Sequence, residues 1–272
     1  MWSIIVRALF FITHWGDELL NVGIHGGTEI DITESPYMAA LHITVPNDTH
    51  IRQCGGSIIS ASHILTAGHC VLLKTDDPNS RQLDIEDFLV LVGSSKYDNS
   101  DKRGEVHSVE KILFKEASHM NDIAILKLSE NITLDDKTKK VIQLAEKSYI
   151  PPNDTHVHID GWGENPENSI NLHRAHIFTL YGGGCDLVGD HNHQICTWGV
   201  NSSGPCLGDS GGPLVTDDTN VQIGINSMSL HCPYDENELA IFTNVAENLD
   251  WIHSVLSNQE DTVTPEKTQT VV

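Results

Sequence analysis

The apolar residues of this chain come in short runs. Met38–Val45 (MAALHITV), Phe88–Val92 (FLVLV), Ile123–Leu128 (IAILKL), Val157–Trp162 (VHIDGW), Val221–Ile225 (VQIGI) and Leu239–Val245 (LAIFTNV) are rich in Val, Ile and Leu, and Gly, Asn, Asp and Ser separate them. A helix that buries one face needs about ten or more periodic residues, whereas a strand needs only about four to eight. The pattern therefore predicts an all-β sandwich or barrel. Ala246–Leu256 is the exception, with Leu249, Ile252, Val255 and Leu256 on one helical face. No internal repeat is visible, which argues against a propeller or solenoid. Hydrophobic residues make up 39% of the 272, enough to fill a core and to exclude wholesale disorder.

The ends read differently. Ile4–Ile12 is a short apolar stretch interrupted by Arg7, too short to span a membrane and close to the length of a signal-peptide core. The last residues, SNQEDTVTPEKTQTVV, are polar and aperiodic, and are expected to be a disordered tail. Lys and Arg number 16 against 38 Asp and Glu, for a net charge of −22. Such a balance excludes nucleic acid as the main partner, because phosphates need cations to neutralise them. After the leader no apolar run is long enough for a transmembrane helix.

Three local motifs carry chemistry. Leu65-Thr66-Ala67-Gly68-His69-Cys70 ends one apolar run, and Asn121-Asp122-Ile123-Ala124 starts another. Gly208-Asp209-Ser210-Gly211-Gly212-Pro213 packs glycines around one serine. A serine hydroxyl is a poor nucleophile and needs an adjacent base, for which His is suited by its near-neutral pKa. A buried carboxylate fixes the imidazole tautomer. Glycines let backbone N–H groups crowd a developing oxyanion. His69, Asp122 and Ser210 are therefore candidates for a catalytic triad, and the N–H groups of Gly208 and Ser210 for its oxyanion hole. Taken singly, His69 reads as a core or turn histidine and Asp122 as a strand-start residue; the glycine-dense serine string is the specific signal.

With these motifs in the order His, Asp, Ser, the chain resembles a chymotrypsin-family serine endopeptidase over about Ile24–Leu256. Gly161-Trp162-Gly163 matches a further landmark, while Gly68 stands where the family usually has Ala. The resemblance implies two six-stranded antiparallel β-barrels, a cleft between them and a closing C-terminal helix. It divides the chain into a leader (1–23), an N-terminal barrel (about 24–148), a C-terminal barrel (about 149–245), the helix (246–256) and the tail (257–272). It implies disulfides Cys54–Cys70, Cys185–Cys196 and Cys206–Cys232, and hence an oxidising, extracellular setting.

Ile24-His25-Gly26-Gly27 resembles the family's mature N-terminus. By resemblance, cleavage before Ile24 frees an ammonium that pairs with Asp209 and orders the oxyanion hole. Gly23 replaces the usual Arg or Lys, so a trypsin-like activator has no cut site there. Either another protease cuts after Gly23 or signal peptidase exposes Ile24 directly. Alignment puts Gly204 at the floor of the specificity pocket, with Ser227, Ser229 and Ala240 along its walls. Met228 replaces the usual Trp of the rim strand. No carboxylate sits at the floor, so a buried Lys or Arg would lack a counter-charge. The expected residue before the scissile bond is apolar, with Phe, Tyr, Leu or Met ahead of Ala or Val.

Four N-x-[ST] sequons occur, at Asn47, Asn131, Asn153 and Asn201. The paired histidines His156/His158 and His191/His193 lack partners at ligand spacing and are read as surface residues, so no metal or other cofactor is expected. The expectation is a secreted monomeric endopeptidase acting on polypeptide substrates, with protein protease inhibitors as further partners. The alternative is a homologue that has lost catalysis and acts as a binding or regulatory protein.

Overall fold

The computed structural model describes residues 24–45, 51–73, 81–115, 121–164, 169–180, 193–199, 203–229 and 239–257. The leader, the tail beyond 257, Cys185, Cys232, Asn47, Asn201 and His191 lie outside the described residues.

The strands are β1 (Thr28–Glu29), β2 (Met38–Thr44), β3 (Ile51–Ser60), β4 (His63–Thr66), β5 (Leu72–Leu73), β6 (Arg81–Gln82), β7 (Phe88–Val92), β8 (Glu105–Phe114), β9 (Ala124–Leu128), β10 (Gln143–Leu144), β11 (His156–Gly161), β12 (His173–Leu180), β13 (Gln194–Gly199), β14 (Pro213–Thr216), β15 (Val221–Ser229) and β16 (Leu239–Asn244). The first barrel closes in the order β2-β3-β4-β9-β8-β7. The second runs β12-β11-β14-β15-β16-β13, and β13 pairs back onto β12 to complete six strands. Every pairing within the two rings is antiparallel. Short β1 adds to β12, and β10 lies parallel to β15. The all-β, two-barrel expectation holds.

Strand β12 shows why such sequences fold this way. His173, Ala175, Ile177 and Thr179 are buried while the residues between them face outward or are half-buried. That alternation is what a pleated strand imposes on one buried face. Each barrel has its own core. Phe88, Leu41, Ile58, Ile64, Leu65 and Ile125 belong to the first; Phe242, Val157, Ile177, Leu214 and Ile223 fill the second.

The C-terminal segment begins as a 3-10 turn (Ala246–Asn248) and becomes helix α1 (Leu249–Leu256). Leu249, Ile252 and Val255 are its buried stripe and join the first barrel's cluster, so the helix packs across the pair. No described helix is long and apolar enough to cross a membrane.

The second face of β11 departs from the sequence expectation. Val157 and Ile159 point into the barrel, but His158 and Asp160 on the opposite face are buried too, with His158 only 2% exposed. Segment 35–37 covers that face. Tyr37 OH meets His158 Nε2 at 3.0 Å and donates to Asp160 at 3.3 Å; Ser35 Oγ also donates to Asp160. Arg174 binds Asp160 through Nε at 2.8 Å and Nη2 at 2.9 Å. Asp217 takes up His158 Nδ1 at 2.7 Å and His176 Nδ1 at 2.9 Å. His158 is thus a buried histidine with partners, while its strand neighbour His156 is exposed.

Candidate active site

His69 sits on a 3-10 turn, Gly68–Val71, that follows β4. Three connections hold this turn against its surroundings. Cys70 is bonded to Cys54 on β3, closing a loop of sequence separation 16. Such a closure contributes about 3 kcal/mol through the unfolded chain. Asp122, at the head of β9, reaches the turn twice. Its Oδ1 accepts the backbone N–H of His69 at 2.7 Å and its Oδ2 accepts Nδ1 of the same residue at 2.7 Å. Gly68 makes this approach comfortable, because a methyl there would stand 3.1 Å from Ile123 N and 3.2 Å from Asp122 Oδ1.

Asp122 is itself held from the second barrel. Ser227 Oγ on β15 donates to its Oδ2 at 2.5 Å, and Thr243 Oγ1 on β16 donates to its carbonyl at 3.0 Å. Asp122 is 8% exposed. Burial pushes its pKa up, but hydrogen bonds from His69 and Ser227 and the histidine's charge outweigh that and hold it below the ordinary value. A lowered pKa keeps this buried group ionised, which fixes the Nδ1–H tautomer of His69.

Ser210 is half-exposed on the loop between Cys206 and β14. Its carbonyl accepts Gly55 N–H at 2.7 Å, and Thr66 Oγ1 donates to Gly55 O at 2.8 Å, tying the serine loop to the histidine strand. No hydrogen bond joins Ser210 Oγ to His69 Nε2 among the described residues; that nitrogen faces Cys70 Sγ at 3.9 Å. The neighbouring amides Asp209 N and Gly211 N are spent on Cys206 O (3.1 Å) and Asn226 O (2.8 Å). Those of Gly208 and Ser210 make no backbone hydrogen bond among the described residues. Gly208 has φ +95°, a conformation that side chains rarely adopt.

Asp209 lies beneath this loop, 3% exposed. It accepts Gly163 N–H at 2.8 Å and Cys206 N–H at 3.0 Å. Burial drives its pKa up to about 7, the two backbone bonds counter only part of this, and Asp160 adds to the rise. Gly161 and Gly163 are required by close approach: a Cβ on either would run into the Asp209 carboxylate. Ile24 is buried at 3% exposure and its side chain lies against Gly161. His25 and Gly204 exchange two backbone hydrogen bonds, at 3.0 and 3.1 Å, which seats the segment after Ile24 on the buried Gly204.

Ser227 and Ser229 lie on β15 and Ala240 on β16, where Ser229 pairs with Ala240 across the ladder; Gly204 directly precedes Pro205. Ser229 Oγ donates to Pro205 O at 3.0 Å. Met228 is an exposed hydrophobic residue beside them. Cys196 and Cys206 are also disulfide-bonded, and no described cysteine is free. Asn131 and Asn153 are exposed. The sequence reading missed Arg52, Thr243 and the Asp160 cluster. Arg52 had a signal, a lone cation in the strand that leads to Cys54.

The trypsin family model matches residues 24–252. Tryptase of Mus musculus is 30% identical over 263 residues, covering 88% of this chain and 90% of the mouse protein. CLIP domain-containing serine protease B15 of Anopheles gambiae is 28% identical over 264 residues, 89% of this chain and 71% of its own. Among solved structures, scabies mite inactivated protease paralogue S-D1 aligns with a TM-score of 0.72 at 25% identity, covering 89% of this chain and 100% of the paralogue. Mouse neuropsin aligns with a TM-score of 0.70 at 23% identity, covering 86% and 100%, a likeness of fold. Two closed barrels, a His–Asp pair at their junction and a match across 24–252 make this chain a member of the trypsin family of serine proteases.

Proposed function

We propose that this chain is a secreted serine endopeptidase that cleaves polypeptides through Ser210, His69 and Asp122. The two-point grip of Asp122 on His69 carries the reading, since it leaves Nε2 as the ring nitrogen able to act as a base. Ser210 Oγ attacks the peptide carbonyl while His69 takes its proton. Asp122 stabilises the imidazolium. The C–N bond breaks as His69 returns the proton to the leaving amine. Water then attacks the acyl-enzyme with the same base and frees the acid. The N–H groups of Gly208 and Ser210 hold the oxyanion, each worth about 10²–10³ in rate.

Ile24 and Asp209 form the activation pair in this reading. Cleavage after Gly23 frees an ammonium, and the buried Asp209, which has no cationic partner among the described residues, gives it a place to go. The disulfides Cys185–Cys196 and Cys206–Cys232 and glycosylation at the sequons belong to the same proposal.

The pocket of Gly204, Ser227, Ser229 and Ala240 is uncharged, which favours apolar residues before the scissile bond. The expected residues there are Phe, Tyr, Leu or Met ahead of Ala or Val, and the Ser229–Pro205 hydrogen bond holds the Ser229 side chain in place.

One observation favours the second reading, a non-catalytic homologue: a protein that aligns at 25% identity is an inactivated protease paralogue. A serine-directed fluorophosphonate discriminates. Labelling of the processed protein, lost in Ser210→Ala, supports the endopeptidase. No labelling of a correctly processed chain overturns it.

A further inference from the structure

Arg52 lies on β3, two residues before Cys54, and its side chain is half-buried under the histidine turn. Nη1 donates to Leu72 O at 3.0 Å, and Nη2 donates to His69 O. Leu72 directly follows the Gly68–Val71 turn and His69 lies within it. The last carbonyls of a short helical turn have no partners inside it, and they form its negative pole. A guanidinium reaches one of them, His69 O, together with the carbonyl of the C-cap residue Leu72, using donors in a rigid plane, which an ammonium cannot do.

The backbone of His69 is therefore clamped on both sides. Its N–H goes to Asp122 and its C=O to Arg52. With both peptide groups fixed, the imidazole keeps only its own side-chain torsions. Arg52 and Asp122 also sense each other's charge: burial lowers the Arg52 pKa, and the carboxylate pulls it back up. Asp122 and Arg52 are charged groups that bond to this turn, and β15 contributes the neutral Ser227, which donates to Asp122.

We propose that Arg52 is a positioning residue, whose guanidinium fixes the carbonyls of the histidine turn and whose permanent charge opposes protonation of the His69–Asp122 pair. The inference rests on His69 acting as the base. A nearby cation favours the carboxylate and disfavours the imidazolium. Its loss must therefore make the pair take up a proton at higher pH.

The test uses the processed chain, with Arg52→Met and Arg52→Lys, and rates normalised to fluorophosphonate-titrated sites. In Arg52→Met, kcat falls about tenfold with little change in KM, and the acid limb of kcat/KM moves up by roughly half a pH unit. Arg52→Lys restores the limb but only part of kcat, because one ammonium cannot bridge two carbonyls. Histidine-ring NMR follows the same titration without turnover, with the His69 signal assigned through His69→Gln. An Arg52→Met protein whose normalised rate and histidine titration match the parent overturns the proposal. Should the parent neither label nor turn over, the endopeptidase reading fails by itself, and the NMR titration still decides the role of Arg52.

Discussion

Ser227 Oγ and Asp122 Oδ2 stand 2.5 Å apart, and that oxygen also accepts Nδ1 of His69. The serine comes from the second barrel and the carboxylate from the first, so one hydrogen bond both joins the barrels and orients the base. Ser227→Ala removes the donor and leaves the buried carboxylate one partner short. The expected result is a loss of about 1–3 kcal/mol in stability and about a tenfold fall in kcat, with KM nearly unchanged. Denaturant unfolding and steady-state kinetics read the two effects separately. An unchanged kcat removes Ser227 from the support of His69.

Ser229 lies on the wall of the proposed specificity pocket. Its hydroxyl spans to Pro205 O, and it faces Ala240 across the ladder. Ser229→Gly removes both the side chain and the tie. A chromogenic peptide panel is expected to show kcat/KM for Phe and Tyr substrates rising about tenfold or more relative to Ala and Val. A methylene in such a pocket is worth about 1–3 kcal/mol, so this is an ordinary effect. Fast cleavage after Arg by the parent contradicts the uncharged pocket.

Much of this molecule is legible in its sequence, and the exceptions have physical causes. Phe88–Val92 is a strand with its expected bounds, because its apolar residues are contiguous and turn residues flank it. Strand β8, EVHSVEKILF, is not among the short apolar runs: only Val109 and Ile112 of its ten residues are buried, and its first six residues carry two glutamates against two valines. His158 is expected at the surface because it lacks partners at ligand spacing, and local spacing cannot tell what covers the outer face of a strand. Segment 35–37 covers it. The Cys54–Cys70 bridge and the His69–Asp122 pair followed from motif resemblance. Ser227's grip on Asp122 and the Ser229 tie are contacts between distant segments, which no local pattern encodes, and Arg52 stands out locally only as a lone cation before Cys54, with nothing nearby to say what it binds.

The Asp160–Arg174 pair makes a stability prediction. Asp160 is fully enclosed, and Arg174 supplies two of its hydrogen bonds. Arg174→Met keeps the apolar stem but leaves a buried carboxylate without its counter-charge. The expected loss is about 3–5 kcal/mol by denaturant unfolding. The double variant Asp160→Asn with Arg174→Met recovers part of it, because the uncompensated charge is gone. Equal losses in the single and double variants deny the pair that role.

Asp209 predicts how stability depends on pH before and after activation. In the chain still joined through Gly23, burial raises its pKa from 3.8 to about 7. The folded state then binds this proton more tightly than the unfolded state. Its contribution is complete below pH 3.8 and declines as pH rises, until it is gone above about 7. The slope is negative, and the whole effect amounts to roughly 4 kcal/mol. Cleavage that frees the Ile24 ammonium reverses the balance, since an opposite charge favours the carboxylate. The expected outcome is a Tm that falls between pH 5 and 7 in the uncleaved protein by more than in the cleaved one. Asp209→Asn flattens the uncleaved protein's profile and abolishes the difference. Parallel pH profiles for the two forms of the parent separate Ile24 from Asp209 and sink the activation pair.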